Sequence, residues 1–234
     1  MNFDFEFALS ILPELARATI VTIQATILGM LLAATLGLVL AIARRSSQKW
    51  LSWTVTGAVE FIRNTPLLVQ IFFLFFVLPD FGITLAPFLC GVIALGIHYS
   101  SYTSEVYRAG LDGIQKGQWE AAMALGMPPS MRLRLIIIPQ AIPPVIPALG
   151  NYLVAMFKDT PLLSAITVLE LLQTAKIIGS ETFRYLEPLT LVGLIFLVLS
   201  LISAAGIRWV ENRLSLNYRY AKVSKRIPNL GTAS

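Results

Sequence analysis

Long apolar runs separated by short charged loops constrain this chain more than any single motif. Charges are sparse over residues 19–43, 55–78, 87–107, 139–157 and 187–209, and about 20 apolar residues suffice to cross a bilayer. Inside the hydrocarbon every backbone N–H and C=O must find a partner within the protein, so such spans are helices. Hydrophobic residues form 56% of the 234-residue chain and its mean hydropathy is +0.73; soluble domains are nearer ~45–50% apolar. The expected architecture is an all-α polytopic membrane protein with about five transmembrane helices. The length leaves room for an outer interfacial segment (1–18), a transmembrane domain (19–215) with a polar loop at 108–138, and a tail (216–234). The N-terminus carries Asp4 and Glu6 and no early Lys or Arg, unlike a cleavable signal peptide.

With five spans the two ends lie on opposite sides. Fourteen basic residues, from Arg44 and Arg45 through Arg108, Lys116, Arg132 and Arg134 to Arg226, then share one side; only Arg17, Lys158, Lys176 and Arg184 share the other. The excess of positive charge marks the cytoplasmic face, placing the N-terminus outside and the 108–138 loop and C-terminus inside. The net charge of +5 thus reports topology, and nothing in the sequence calls for nucleic acid. The single cysteine, Cys90, sits in an apolar run and reads as a small buried hydrophobe.

Within the spans, Ala25, Gly29, Ala33, Gly37 and Ala41 recur every fourth residue and line one helix face with small side chains. That stripe serves either a subunit interface or packing inside the chain. Pro66 removes a backbone donor and disfavours helix at Thr65, so the second span is expected to kink there. The run His98 to Glu105 is too polar to face lipid and belongs in the bundle interior or against a water-filled cavity. Pro139, Pro143, Pro144 and Pro147 make the first half of the fourth span an expected irregular stretch. Gln70, His98, Ser101, Tyr102 and Asn151 are polar groups in three spans; they either line a path for a zwitterionic solute or make interhelical hydrogen bonds.

The 108–138 loop holds Gln118-Trp119-Glu120-Ala121-Ala122-Met123-Ala124-Leu125-Gly126 and then Pro128-Pro129. Ala121, Ala122 and Ala124 favour helix and permit close approach, Glu120 suits a helix N-terminus, and Gly126 suits a left-handed cap before the prolines. The reading is a short, exposed, sharply ended helix.

Glu120-Ala121-Ala122, three residues, Gly126, nine residues, then Ile136-Ile137-Ile138-Pro139 resembles the signature loop of ABC importer permeases, with Ile138 in place of that loop's Leu. The run Phe61 to Phe76, the Glu105-x-x-Arg108 pair with Gly110 and Lys116-Gly117-Gln118, and Lys158-Asp159-Thr160 resemble the polar amino acid branch; Ile62 and Pro161 depart from it. The resemblance covers residues 19–215. It implies a type I importer permease fold and, for Glu120, Ala121, Ala122, Gly126, Ile138 and Pro139, coupling to a separate ATPase. It further implies a second permease subunit, a copy or a paralogue, a periplasmic substrate-binding protein, and residence among lipids of the bacterial inner membrane. The substrate class it implies is polar amino acids or related zwitterions, including opine-like compounds or ectoine.

The chain has no Gly-x-x-x-x-Gly-Lys-Ser/Thr phosphate loop, so ATP and Mg are expected on the partner ATPase and no cofactor in this chain. One His and one Cys make no metal-ligand set, and without a Gly-x-Ser-x-Gly elbow no hydrolase is expected. The competing classes are a secondary transporter, although no internal repeat is visible, and a structural membrane subunit.

Overall fold

The computed structural model describes residues 3–223, and within them the chain is helical with no strand. Helix α1, Phe5–Arg44, is one unbroken element of 40 residues started by Asp4, whose carboxylate accepts the Phe7 N–H at 3.1 Å. Residues 5–18, expected as a separate outer segment, are therefore the first turns of α1. Helix α2 (Lys49–Asn64) ends at Pro66; α3 (Leu67–Phe72) continues through a wide turn at Phe73–Val77 and a tight one at Leu78–Phe81. Then come α4 (Pro87–Asp112), α5 (Lys116–Ala124), α6 (Pro129–Arg132), a wide turn at Leu133–Ile137 and α7 (Ile138–Asp159). A tight turn at Thr160–Ile166, α8 (Leu171–Thr182) and α9 (Leu186–Val223) complete the described chain. The first residues of the expected 216–234 tail thus extend α9, and residues 224–234 lie outside the described part.

Helix α4 is the centre around which the others pack. It lies along α1, where Ala25, Gly29, Ala33, Gly37 and Ala41 are all buried. A Cβ built on Gly29 would lie 3.2 Å from Leu95 Cβ and 3.1 Å from Met156 S, and one on Gly37 would collide with Thr103. The Thr103 hydroxyl donates to the Ala33 carbonyl at 2.7 Å, a bond between the two helices. The small-residue stripe thus serves packing inside the chain, because a polar helix needs close backbone contact to satisfy its hydroxyls. Tyr99, Ser100, Ser101, Thr103 and Ser104 are buried as expected for an inward-facing polar run.

Among the described residues three helical stretches are long and apolar enough to cross a membrane: Phe5–Arg44, Pro129–Ile166 and Leu186–Arg213. The α2–α3 pair makes a fourth, bent by 104° at Pro66. Against about five expected, the one that fails this test is α4. Its neighbours shield it, so it has no need of a lipid-compatible surface.

Pro66 leaves the last carbonyls of α2 without helical donors, and the Gln70 side-chain amide donates to Ile62 O at 2.8 Å and Thr65 O at 3.0 Å, closing the bend. The prolines of the fourth span were expected to disrupt its first half. Instead α7 runs continuously through Pro143, Pro144 and Pro147, and the irregular turn lies just before it, at Leu133–Ile137. Pro139 falls in the first turn of α7, where a missing N–H costs nothing.

Candidate functional site

Two arrangements stand out: a helix presented on the 108–138 loop, and an aromatic cluster inside the bundle. The loop helix is α5. Gln115 is its N-cap, so Glu120 sits past the first turn rather than at the N-terminus as expected. The C-terminus ends as the sequence suggested. Gly126 has φ +70°, its N–H donates to Met123 O at 2.9 Å, and the Met127 N–H donates to Ala122 O at 3.2 Å. That is a Schellman closure, which satisfies carbonyls the helix would leave open.

One side of α5 is pinned. Ala122 is buried, Trp119 packs with Ile114, Ile137 and Ala141, and Gln140 Nε2 donates to Gln118 Oε1 at 3.1 Å. The buried member of the isoleucine triplet is Ile137, while Ile138 and Pro139 face outward. The opposite side of α5 presents Glu120, Ala121, Met123 and Leu125, the last 79% exposed. A small cluster thus fixes α5 to the bases of α4 and α7 and leaves an apolar patch bare.

At the same end of the bundle Glu105 joins three helices. It accepts from Arg44 of α1 at 2.6 Å and from Arg108 of its own helix at 2.7 Å, and lies 3.4 Å from Arg63 of α2. Asp112 extends the network to Arg45 and Arg108.

Higher in the bundle, His98, Tyr99 and Tyr102 of α4 meet Tyr152 of α7, with ring centroids 5.3 to 6.2 Å apart. The Tyr99 hydroxyl donates to Asp159 at 2.6 Å, and the Arg63 guanidinium stands 5.5 Å over the Tyr102 ring. The cluster therefore offers π faces between a carboxylate and a guanidinium, groups that match a zwitterion. His98 Nδ1 is buried without a hydrogen-bond partner.

The five path residues named from sequence separate here. His98 and Tyr102 are in this cluster. Ser101 is fully buried and its hydroxyl donates back to His98 O at 2.6 Å, a bond within α4. Gln70 closes the α2–α3 bend and lines a cavity of about 280 Å³ with Thr65, Phe73 and Ile97. Asn151 is exposed on α7, one position from the tyrosine that enters the cluster. Sequence reasoning missed Tyr99, Tyr152 and Asp159. The Tyr99–Tyr102 spacing of three was a visible signal, whereas Tyr152 and Asp159 join only through the α4–α7 crossing. Among the described residues no group of three or more His, Cys, Asp or Glu is gathered as a metal site requires.

A bundle of apolar helices around one polar helix, with a pinned helix displayed on a loop, is the architecture of a multi-pass membrane protein. Residues 10–216 match the family described as binding-protein-dependent transport system inner membrane component, and the chain belongs to that family, a multi-pass inner-membrane protein of ABC importers. The chain is 50% identical over 213 residues to the probable amino-acid ABC transporter permease protein y4tG of Sinorhizobium fredii, covering 91% of this chain and 92% of that one. It is 32% identical to the arginine transport system permease protein ArtQ of Bacillus subtilis over 93% of this chain and 100% of that one. Among solved structures, an amino acid ABC transporter crystallised with histidines matches with a TM-score of 0.86 and 37% identity, over 91% of this chain and 100% of that one. A chain of the MetNI methionine ABC transporter shares the fold, with a TM-score of 0.75 at 18% identity, over 88% of this chain and 98% of that one.

Proposed function

We propose that the chain is the translocating subunit of an ATP-driven importer for a polar amino acid or a related zwitterion. It crosses the membrane about five times, α4 included, with the N-terminus periplasmic and the C-terminus cytoplasmic. It pairs with a second permease subunit, receives substrate from a periplasmic binding protein, and works with ATPase subunits that hold ATP and Mg²⁺. The observation that carries this reading is the pinned α5 with its bare Met123–Leu125 patch. Met123 and Leu125 stand exposed beside Gln118 and Glu120, and an exposed apolar patch rimmed by polar residues marks a docking surface for a partner.

Glu120, Ala121, Ala122 and Gly126 form the coupling element. Because α5 is tied through Trp119 and Gln140 to the start of α7, a push on α5 is passed to the turn that holds Ile138 and Pro139. ATP binding would thereby bias the bundle between inward-open and outward-open states. The solute meets His98, Tyr99, Tyr102, Tyr152 and Asp159, with π faces and Asp159 toward its cation and Arg63 toward its carboxylate. The names of the relatives given above, a probable amino-acid permease and an arginine permease among them, support that substrate class.

The test is a mild-detergent pull-down of the tagged chain followed by mass spectrometry. A stoichiometric ATP-binding subunit, lost when Met123 and Leu125 become Ser, is expected. A chain that purifies alone while amino acid uptake persists without any ATPase would overturn the proposal.

A further inference from the structure

Helices α1, α7 and α9 enclose an open apolar groove of about 470 Å³ that neither the aromatic cluster nor α5 touches. Met30, Leu149, Gly150, Leu153, Gly206 and Trp209 are among its walls. Its floor is made by small residues: Ile207 lies over Gly150 and draws α7 against α9, while nothing stands within 4 Å of a Cβ built on Gly206. The volume falls in the ~300–1,000 Å³ range of ligand pockets.

One end of the groove is chemically distinct. Trp209 is 61% exposed, and one turn further along α9 the Arg213 guanidinium stands 5.2 Å over its ring. This pair closes the apolar stretch Leu186–Arg213, the depth at which Trp and Arg sit at a membrane surface. The sequence from 208 to 226 then holds Arg208, Arg213, Arg219, Lys222, Lys225 and Arg226 against Glu211 alone. Basic residues massed beside a span attract anionic headgroups.

We propose that this groove is a binding site for an anionic phospholipid. An acyl chain lies along Gly150 and Gly206, and the headgroup phosphate pairs with Arg213 beside Trp209. Net charge selects this occupant over a zwitterionic lipid, whose phosphate is already balanced by its own ammonium and so is drawn less to Arg213 and the basic residues beyond it. A lipid seated there braces α9 against α7, the helix whose first turn holds Pro139.

The test uses the assembled transporter in nanodiscs of phosphatidylethanolamine and phosphatidylglycerol at 3:1, with native mass spectrometry of retained lipid. Wild type is expected to keep one phosphatidylglycerol per chain, enriched about fivefold over bulk, as one basic contact at a membrane surface provides. Gly206→Leu fills the groove and should release the lipid. Arg213→Gln, on the exposed end of α9, should keep lipid but at the bulk ratio, and Arg213→Lys should retain the enrichment. Unchanged phosphatidylglycerol in both Gly206→Leu and Arg213→Gln, or no enrichment in wild type, would overturn the proposal. So would a Gly206→Leu transporter whose permease subunits separate while its bound lipid is unaltered, since the groove would then belong to a second copy.

Discussion

Individual glycines in this chain have different jobs, and the structure separates them. Gly126 has open space around it but a positive φ, so a side chain there costs backbone strain of about 1–2 kcal/mol and no clash. Gly126→Val should insert into membranes normally yet lose most substrate uptake, with Gly126→Asn retaining more because Asn accepts the left-handed region. Uptake at matched protein levels checks this; normal transport by Gly126→Val would remove the coupling role. Gly37 is the reverse case: its φ is ordinary, and Thr103 occupies the space a Cβ needs. Gly37→Val should lower stability by about 1–3 kcal/mol through overpacking, read as a reduced melting temperature in detergent. Gly57, exposed in α2 with nothing near it, should give a slightly more stable protein as Ala. All three are simple glycines in the sequence; only conformation and neighbours tell them apart.

Between elements, charge holds what apolar contact does not. Glu105 gathers α1, α2 and the end of α4, and the Arg44 side chain it binds is only 9% exposed. Glu105→Gln would leave a largely buried guanidinium without its carboxylate, an effect approaching about 3 kcal/mol, visible as a lower melting temperature. Arg44→Gln in the same background should recover part of it. At the opposite end Arg184 bridges Asp4 at 3.2 Å and Glu187 at 2.6 Å and stacks on Phe7, tying the start of α1 to the α8–α9 turn. The Phe7 backbone N–H, and then Arg184, hold the Asp4 carboxyl below its usual value of 3.8. A lowered folded pKa stabilises above the unfolded value, and the gain is lost as pH falls through the lower folded one. The hydrogen-exchange protection factors of residues 183–187, corrected for the intrinsic pH dependence of exchange, should therefore be flat from pH 8 to 5 and fall only below about pH 4. In Asp4→Asn they should be low at every pH. Glu60–Arg63 and Glu105–Arg108 stand three apart, a spacing that brings side chains together on one helix face, and both ion pairs are present. Partners distant in sequence, Arg44 with Glu105 and Asp4 with Arg184, had no periodic signal.

At the scale of the whole molecule, accessibility distinguishes the path from the packing. Cys90 is buried with its Sγ 3.7 Å from Leu74 O, so the native chain should resist a membrane-impermeant maleimide. A cysteine replacing exposed Asn151 should be labelled in the assembled importer where α7 borders an aqueous path, and protected by substrate; silence in native membranes would assign that face to lipid or a partner. The sequence by itself determined the class of molecule: apolar runs dictate membrane helices, Pro66 dictates the break, and Gly126 with its prolines dictates a capped loop helix. These are local effects, set by residues a few positions apart. Tertiary structure alone decided that the alanine–glycine stripe faces α4, that Gln70 closes a bend, and that Tyr152 and Asp159 complete the aromatic cluster. It also decided that α4, the least apolar span, lies at the centre. Each of these depends on which helices cross and at what depth, and a pattern within one helix, such as the four-residue stripe, does not name the partner it packs against.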